Sequence, residues 1–341
     1  MSNIGVLGAG TWGMALARML YNNGHEVCVW SALPEEVEKL SATRQHPNLP
    51  GMEIPAGITF TGQIGEVCRQ RDILLFAVPS PFVRSTARLA APYIRDDQII
   101  VDVAKGIEAD TLLTMTQIIA QEIKNPTVKL VALSGPTHAE EVAKDMPTTI
   151  VSACEDQHVA ELVQNVFWGT CMRVYTNEDA LGVELCGAIK NVIALASGIA
   201  AGLGYGDNAK AALITRGMAE ISRLGMAMGC KEQTFGGLAG IGDLIVTATS
   251  VHSRNNRCGM LIGQGVPVSE AVKQVGMVVE GINALPATMT LAKKYQVEMP
   301  IVEAAYQVIY AGAAPKDMVQ QLMGRDKKPE LPQAAFQNRY K

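Results

Sequence analysis

The glycine-rich segment G-A-G-T-W-G at residues 8–13 constrains the fold of this chain more than any other feature. It follows an apolar run typical of a buried strand, Ile4–Leu7, and precedes a helical pattern. A G-x-G-x-x-G between a strand and a helix is the fingerprint of a dinucleotide-binding turn. Gly8 permits the tight turn, Gly10 lets a pyrophosphate approach the backbone, and Gly13 allows close packing of the helix on the strand. The following helix start attracts phosphate.

The first half of the chain alternates short β-branched runs with amphipathic stretches. The strand-like runs are Ile4–Leu7, Glu26–Trp30, Ile73–Val78, Ile99–Val103 and Leu130–Leu133. The helical patterns between them are Met14–Asn23, Pro34–Ser41, Pro81–Ala91 and Thr111–Ile123. This alternation predicts an α/β fold, a Rossmann-like doubly wound parallel sheet with helices on both faces. Two later runs, Thr148–Val151 and Arg173–Tyr175, are candidates to extend the sheet.

The pattern changes near residue 180, after which glycine-punctuated helical stretches replace the strand-like runs. These stretches are Val183–Ala201, Ala209–Met228, Val268–Val275, Ala284–Tyr295 and Pro300–Tyr310. We therefore expect three parts. Residues 1–182 form the dinucleotide-binding domain, residues 183–324 form an all-α substrate domain, and residues 325–341 are a polar C-terminal tail.

Composition excludes several classes of protein. A hydrophobic share of 48% and a charged share of 18% exclude a disordered chain, and a net charge of −4 argues against nucleic acid as a partner. The seven cysteines are scattered without C-x-x-C spacing, which predicts reduced thiols and no metal site. No signal-like basic leader precedes the first apolar run, and the longest uncharged stretch, 191–206, is shorter than the about 20 residues of a membrane span. We expect a cytoplasmic protein without stable membrane insertion.

Lys190 is the strongest candidate for chemistry. It is the only cation in an apolar helical segment, residues 185–200, and lysine is rarely buried without a partner or a purpose. Desolvation lowers the pKa of a lysine, which suits it to exchange a proton with an alcohol or a ketone. The alternative is a lysine at a helix edge that reaches solvent, while His138 and His252 compete as the base. Asn191 either orients a substrate or satisfies the backbone.

Three further segments are rich in hydrogen-bond donors or glycine. S-G-P-T-H-A-E-E at 134–141 follows a strand, and a glycine-rich stretch at 236–243 ends in Asp243. The cluster His252–Arg257 offers donors for a phosphate, although such a run is as often a solvated face.

The residues at the end of the second predicted strand do not indicate whether the cofactor is NAD or NADP. Ser31, Ala32 and Leu33 carry no charge there, whereas an acid would select NAD and an arginine NADP. Lys39 and Arg44 assist the binding of NADP only if the following segment folds back. We therefore expect kcat/KM values for the two cofactors within about tenfold of each other.

The motifs taken together resemble one family. The ordered set comprises G-A-G-T-W-G (8–13), V-A-K-G-I-E (103–108), S-G-P-T-H-A-E-E (134–141), A-I-K-N-V-I-A (188–194), G-Y-G-D-N-A-K-A-A-L-I-T-R-G (204–217), G-I-G-D-L (240–244), H-S-R-N (252–255) and V-V-E-G (278–281). This set resembles the bacterial type of NAD(P)-dependent glycerol-3-phosphate dehydrogenase. The matches run in order from residue 4 to about residue 312 and so cover most of the chain.

The resemblance implies interconversion of sn-glycerol 3-phosphate and dihydroxyacetone phosphate, a step that supplies phospholipid synthesis. It implies that Lys190 is the general acid–base and that Lys105 meets cofactor and substrate. On physical grounds we expect Asp243 to orient Lys190 or to form an ion pair with it. The substrate-binding set is Lys105, Gly135, Thr137, Lys190, Asn191, Asp243, Ser253, Arg254 and Asn255. The cofactor-binding set is Gly8, Gly10, Thr11, Trp12, Gly13, Ser31, Lys105, Ala139, Arg254, Val278 and Glu280. We expect a homodimer. The chain departs from the family at Ala32 and Leu33, where basic residues are common.

Two other classes remain as alternatives. One is a different dehydrogenase with a helical second domain, but a 3-hydroxyacid type spaces its lysine and asparagine a turn apart, and a nucleotide-sugar type needs a nucleophilic cysteine. The other is a non-catalytic nucleotide sensor, which does not need a buried lysine near an Asp–Ser–Arg–Asn cluster. An absorbance assay of the nicotinamide separates enzyme from sensor.

Overall fold

The computed structural model describes residues 1–330 and is built on one eight-stranded sheet. The strands are β1 (Asn3–Leu7), β2 (Glu26–Trp30), β3 (Thr59–Thr61), β4 (Ile73–Phe76), β5 (Ile99–Asp102), β6 (Lys129–Ser134), β7 (Thr148–Ala153) and β8 (Met172–Asn177). Their spatial order is β3-β2-β1-β4-β5-β6-β7-β8, and every neighbouring pair is parallel except β6 with β7. The carboxyl ends of β1 to β6 therefore meet along one edge.

Helices cover both faces of this sheet. They are α1 (Thr11–Asn22), α2 (Pro34–Thr43), α3 (Ile64–Cys68), α4 (Val83–Ala90), α5 (Met115–Ile123), α6 (Ala139–Val142) and α7 (Gln157–Val166). Successive residues of β1 point to opposite faces, so Val6 packs in the apolar cluster that includes α1, and Leu7 packs in the one that includes α4 and α5. The predicted α/β, doubly wound fold is confirmed.

Differences from the predicted elements have local causes. The edge strand β3 was not predicted, because three partly exposed residues are too short to show a period. The helix expected from Thr111 begins at Met115, because Thr114 and Gln117 form a reciprocal capping box at its start. The candidate runs near residues 150 and 174 do extend the sheet, as β7 and β8.

The rest of the described chain is helical. The helices are α8 (Ala180–Gly202), α9 (Asp207–Ala227), α10 (Glu232–Phe235), a π-helical turn (Leu238–Gly242), α11 (Asp243–Thr249), α12 (Arg254–Gly263), α13 (Val268–Val275), α14 (Glu280–Lys294), α15 (Pro300–Tyr310) and α16 (Pro315–Met323). No strand follows Asn177 within residues 1–330, so the predicted all-α character is confirmed. The helices α11 and α12 were not predicted. The proposed tail lies mostly outside the described residues.

The core helix α8 organises this second half. Among residues 1–330, it is the only single helix long and apolar enough to cross a membrane, but 83% of its apolar window is buried inside the protein. The helix begins at Ala180, ahead of the uncharged stretch 191–206, because its apolar residues already start before Lys190. The helices α9, α11, α12 and α14 pack around it.

The crossing of α8 and α12 depends on glycines from both helices. A Cβ atom at Gly198 or Gly202 would lie 2.1 or 2.2 Å from a carbonyl oxygen of α12. A Cβ atom at Gly259 or Gly263 would lie 2.1 or 2.2 Å from a carbonyl oxygen of α8. Because α8 carries Lys190 and α12 begins at Arg254, this backbone contact sets the distance between two candidate site residues.

We expect Gly259→Ala to lower the free energy of unfolding by about 3 kcal/mol, because its methyl group forces two packed backbones apart. Urea denaturation measures the loss. Gly62→Ala is the control, since Gly62 is exposed and nothing lies within 4 Å of its Cβ position. Equal stability losses in the two variants would contradict the close-contact account.

Candidate active site

A cleft opens where the carboxyl ends of the parallel strands face the helical half. Its walls include the glycine loop, the loops after β4, β5 and β6, and the starts of α12 and α14. The lining residues from the predicted sites are Gly10, Thr11, Trp12, Lys105, Thr137, Ala139, Lys190, Asn191, Ser253, Arg254, Asn255, Val278 and Glu280. The fold therefore gathers residues that lie up to 270 positions apart, from Gly10 to Glu280.

The glycine loop has the geometry that a dinucleotide needs. Gly8 has a φ of +123° and donates its N–H to the carbonyl of Trp30 at 3.0 Å. A Cβ atom at Gly13 would lie 2.1 Å from the Gly8 carbonyl oxygen, whereas nothing lies within 4 Å of the Cβ position of Gly10. No side chain caps the start of α1, so its first N–H groups face the cleft. These residues fit a bound pyrophosphate.

Two lysines share one buried carboxylate deeper in the cleft. Lys190 Nζ donates to Asp243 Oδ1 at 2.6 Å, and Lys105 Nζ donates to Asp243 Oδ2 at 2.7 Å. Lys190 is 4% exposed and Asp243 is 1% exposed. Lys105 also donates to the carbonyl oxygen of Gly135 at 3.0 Å, which links the loop after β5 to the loop after β6. We refer to Lys105, Lys190 and Asp243 as the lysine–aspartate triad.

The pKa of Lys190 is lowered to about 7, chiefly because the side chain is buried. The negative charge of Asp243 opposes this shift, and the positive charge of Lys105 contributes to it. An ammonium with such a pKa exchanges its proton near neutral pH. The triad therefore places an amine that can exchange a proton near neutral pH at the helical wall of the cleft.

Thr247 is a member of this site that sequence reasoning missed. Its hydroxyl accepts a hydrogen bond from Lys190 Nζ at 2.5 Å and donates to the backbone carbonyl of Asp243 at 2.7 Å. Asp243 and Thr247 are four residues apart and therefore share one face of α11. The signal existed in that spacing, but it required α11 to be recognised as a helix.

The start of α12 presents a free guanidinium. Ser253 caps the helix by accepting the Asn256 N–H at 3.2 Å, and Arg254 follows it on the exposed side. Arg254 makes no side-chain hydrogen bond or ion pair with residues 1–330. The position is open to an anionic group of a ligand.

Asn191 and Asn255 are engaged with the protein itself. Asn191 donates to the Gly187 carbonyl at 3.1 Å, which is the backbone-satisfying alternative stated above. Asn255 donates to Asn191 Oδ1 at 2.9 Å and accepts the Gly281 N–H at 2.8 Å. These bonds join α8, α12 and α14 beneath the cleft.

Glu280 bridges the two halves. Its carboxylate accepts the Ser80 N–H at 3.1 Å and the Ser80 hydroxyl at 2.5 Å, at the end of β4. Ser31 lies outside the cleft lining, at the end of β2, where it donates to Glu36. Glu36 and Ser80 were not among the predicted site residues.

The competing histidines also face the cleft. The rings of His138 and His252 lie 5.8 Å apart, and both side chains contribute to its lining. Burial, with a further contribution from Lys190, lowers the pKa of His138. Neither histidine contacts the triad carboxylate within residues 1–330.

Fold and cleft define a class: dehydrogenases that bind a nicotinamide dinucleotide on a Rossmann-like sheet and complete their site with a helical domain. Two family models agree with this definition. The model described as NAD-dependent glycerol-3-phosphate dehydrogenase N-terminus matches residues 3–160, and the corresponding C-terminus model matches residues 179–320. The chain belongs to the NAD-dependent glycerol-3-phosphate dehydrogenase family.

Individual relatives cover nearly the whole chain. The NAD(P)+ glycerol-3-phosphate dehydrogenase 2 of Lactobacillus delbrueckii subsp. bulgaricus is 68% identical over 97% of this chain and 99% of its own length. The enzyme of Agathobacter rectalis is 52% identical over 97% of this chain and 98% of its own length. The crystal structure of glycerol-3-phosphate dehydrogenase from Coxiella burnetii superposes with a TM-score of 0.91 at 34% identity, covering 95% of this chain and 99% of that one. The predicted family and the NAD(P) cofactor are confirmed.

Proposed function

We propose that the chain interconverts sn-glycerol 3-phosphate and dihydroxyacetone phosphate, with Lys190 as the proton donor and acceptor. The observation that carries this assignment is the buried lysine–aspartate triad in the same cleft as the glycine loop. A bound nicotinamide dinucleotide supplies or accepts the hydride, which is the cofactor's own chemistry. The protein contributes binding, orientation and a proton.

Lys190 performs the proton transfer in both directions. During reduction its ammonium donates a proton to the oxygen that develops negative charge at C2 of the ketone. During oxidation its neutral amine accepts the proton of the C2 hydroxyl. Because its pKa is lowered to about 7, both forms are populated near neutral pH.

Lys105 and Asp243 prepare the site for that transfer. The ammonium of Lys105 adds a fixed positive charge beside the developing alkoxide, which stabilises the transition state. Asp243 holds both Nζ atoms in position through its two oxygens, at 2.6 and 2.7 Å. Because these contacts exist without substrate, the charges need no rearrangement during the reaction.

The substrate phosphate is assigned to the start of α12. Two arginines of α12, Arg254 and Arg257, line the cleft, and neither side chain has a hydrogen bond or ion pair within residues 1–330. We assign the phosphate to Arg254, which Ser253 and Asn255 flank. Gly135 and Thr137 complete the substrate set on the opposite wall, next to Lys105. The glycine loop, Ser31, Ala139, Val278 and Glu280 remain our assignments for the cofactor.

We expect Arg254→Ala to lower kcat/KM for dihydroxyacetone phosphate by about ten- to a hundredfold, the cost of about 1.5–3 kcal/mol for a lost charge-assisted hydrogen bond. Unphosphorylated dihydroxyacetone, measured in parallel, is expected to show no such loss. Arg257→Ala, at the other cleft-lining arginine of α12, is the comparison variant, and the assignment of the phosphate to Arg254 predicts a smaller loss there. If Arg254→Ala slows both substrates equally, Arg254 does not bind the phosphate.

The function itself is tested by initial rates of NADH and NADPH oxidation with dihydroxyacetone phosphate. We expect turnover that depends on the phosphorylated ketone and is much slower with dihydroxyacetone. Absence of turnover with either cofactor would overturn the proposal.

The remaining assignments concern context. We propose domains at 1–182 and 183–324, a homodimer, a role in supplying phospholipid synthesis and a cytoplasmic location without membrane insertion. All seven cysteines are free thiols, which supports a reducing compartment. A solution mass of twice the 36.4 kDa chain, measured by light scattering, tests the dimer.

A further inference from the structure

A carboxylate reaches the end of β2 from the first turn of the next helix. Ser31 Oγ donates to Glu36 Oε2 at 2.5 Å and accepts the Leu33 N–H at 3.1 Å. Glu36 lies in the first turn of α2, where the helix dipole favours a negative charge. The strand end therefore carries an acid, although residues 31–33 contain none.

This carboxylate lies where a Rossmann-like sheet recognises the adenosine ribose. β2 is the parallel neighbour of β1, so its carboxyl end is adjacent to the glycine loop. In this architecture an acid at that end accepts a hydrogen bond from the ribose 2′-hydroxyl. In the order of the sheet, β2 and β4 lie on either side of β1 and its glycine loop. Leu33 follows β2 and Phe82 follows β4, and both apolar side chains are exposed.

The segment after α2 holds this arrangement against the glycine loop. His46 is buried, and its Nδ1 accepts the Asn48 N–H at 3.2 Å. Asn48 Nδ2 in turn lies 3.5 Å from the Thr11 hydroxyl. Burial lowers the pKa of His46, so the ring contributes no positive charge at neutral pH.

The cations that the sequence offered for a 2′-phosphate are mostly engaged elsewhere. The guanidinium of Arg44 donates to the carbonyl of Ile58 at 2.7 Å and lies 5.5 Å from the centre of the Phe60 ring. Lys39 is exposed and has no ion pair within residues 1–330. Lys39 is thus exposed and unpaired among the described residues, whereas the Glu36 carboxylate is held by Ser31.

We infer that Glu36 is the specificity-determining residue that makes this enzyme prefer NADH over NADPH. A ribose 2′-hydroxyl donates to the Glu36 carboxylate, whereas a 2′-phosphate brings like charge against it. We expect a preference for NADH of about ten- to a hundredfold, between the about fivefold effect of two like charges 4 Å apart in bulk water and their roughly thousandfold effect near a protein surface. The inference replaces our expectation of comparable use, which weighed residues 31–33, Lys39 and Arg44 but not Glu36. It rests on the proposed binding of the cofactor along the glycine loop.

The test measures Kd for NADH and NADPH by isothermal titration calorimetry, together with kcat/KM for each. We expect Glu36→Gln to tighten NADPH binding about tenfold and to weaken NADH binding a few-fold, because the charge is removed and an acceptor remains. Glu35→Gln is the matched control: it removes the same charge from an exposed position in the same turn, without the Ser31 contact.

Ser31→Ala provides a second test, since it keeps the charge but releases the carboxylate, and it is expected to reduce the preference a few-fold. Equal effects of Glu36→Gln and Glu35→Gln, or a wild-type preference for NADPH, would overturn the inference. Because Kd is measured without substrate, the effect of these variants on cofactor binding can be interpreted even if the proposed reaction is not observed.

Discussion

Replacing Lys190 with methionine is expected to lower kcat for reduction of dihydroxyacetone phosphate by at least about 10²–10⁴-fold, the usual contribution of general acid–base catalysis. The loss is expected to be larger still if the ammonium also stabilises the developing oxyanion. Methionine is chosen because the Lys190 side chain is 4% exposed in an apolar helix. The Asp243 carboxylate is not left unpaired in this variant, because Lys105 contacts it at 2.7 Å. Stopped-time assays at high enzyme concentration measure the residual rate.

Cofactor binding separates a catalytic loss from a folding defect. The glycine loop lies on β1 and α1, so Kd for NADH is expected to stay within about threefold of wild type, less than 1.4 kcal/mol. Lys231→Met, at an exposed lysine that pairs with Glu178, is the control for loss of one positive charge. A Lys190→Met variant that retained half the wild-type turnover would remove Lys190 from the mechanism.

Asp243→Asn is expected to have the second largest effect, lowering kcat by about 10²–10³-fold through loss of preorganised electrostatics. The substitution leaves two ammonium groups near each other without the carboxylate that contacts both. Breaking a buried ion pair also lowers stability, by about 3–5 kcal/mol. Thermal unfolding followed by circular dichroism shows whether the variant is folded at the assay temperature.

The pH dependence distinguishes positioning from simple disruption. Asp243 raises the pKa of Lys190 against the effect of burial, so its removal is expected to move that pKa below about 7. Reduction needs the protonated amine, so the pH above which kcat/KM for reduction falls is expected to move below about 7 in this variant. Thr247→Val, which removes a hydroxyl and keeps all three charges, is expected to cost about tenfold, the value of one hydrogen bond to a charged group. A loss of activity in Asp243→Asn with the break left at about pH 7 would argue for a structural role alone.

Local patterns were enough to predict much of the fold. Residues 8–13 fixed the first strand, turn and helix, and the buried runs near residues 28, 75, 100 and 131 became parallel strands. The short edge strand β3 carries no readable period. The run 252–257 was interpreted as a donor cluster for a phosphate or, equally, as a solvated face. No local pattern indicated that α12 begins there or that it packs against α8 through glycine contacts.

The site shows the same limit. Lys190 stood out because a charge in an apolar helix is a local anomaly. Its partnership with Asp243 and Lys105 joins positions up to 138 residues apart, and only the family resemblance pointed to it. Glu36 escaped attention because its side chain turns back from a helix to the end of β2. Contacts made through folding, rather than through spacing, were the ones missed.

The pH dependence of kcat/KM in both directions tests the role of Lys190 most directly. Reduction consumes a proton, so the ratio of kcat/KM for reduction to kcat/KM for oxidation must change tenfold per pH unit. If a single amine transfers the proton, its pKa sets the pH at which each kcat/KM begins to change. We predict that reduction is level below about pH 7 and falls above it, while oxidation rises to about pH 7 and is level above it, as the pKa of Lys190 requires. A break from the substrate phosphate lies lower, at about pH 6. If one direction were level and the other changed without a break from pH 6.5 to 9, no group with the lowered pKa of Lys190 would be transferring the proton.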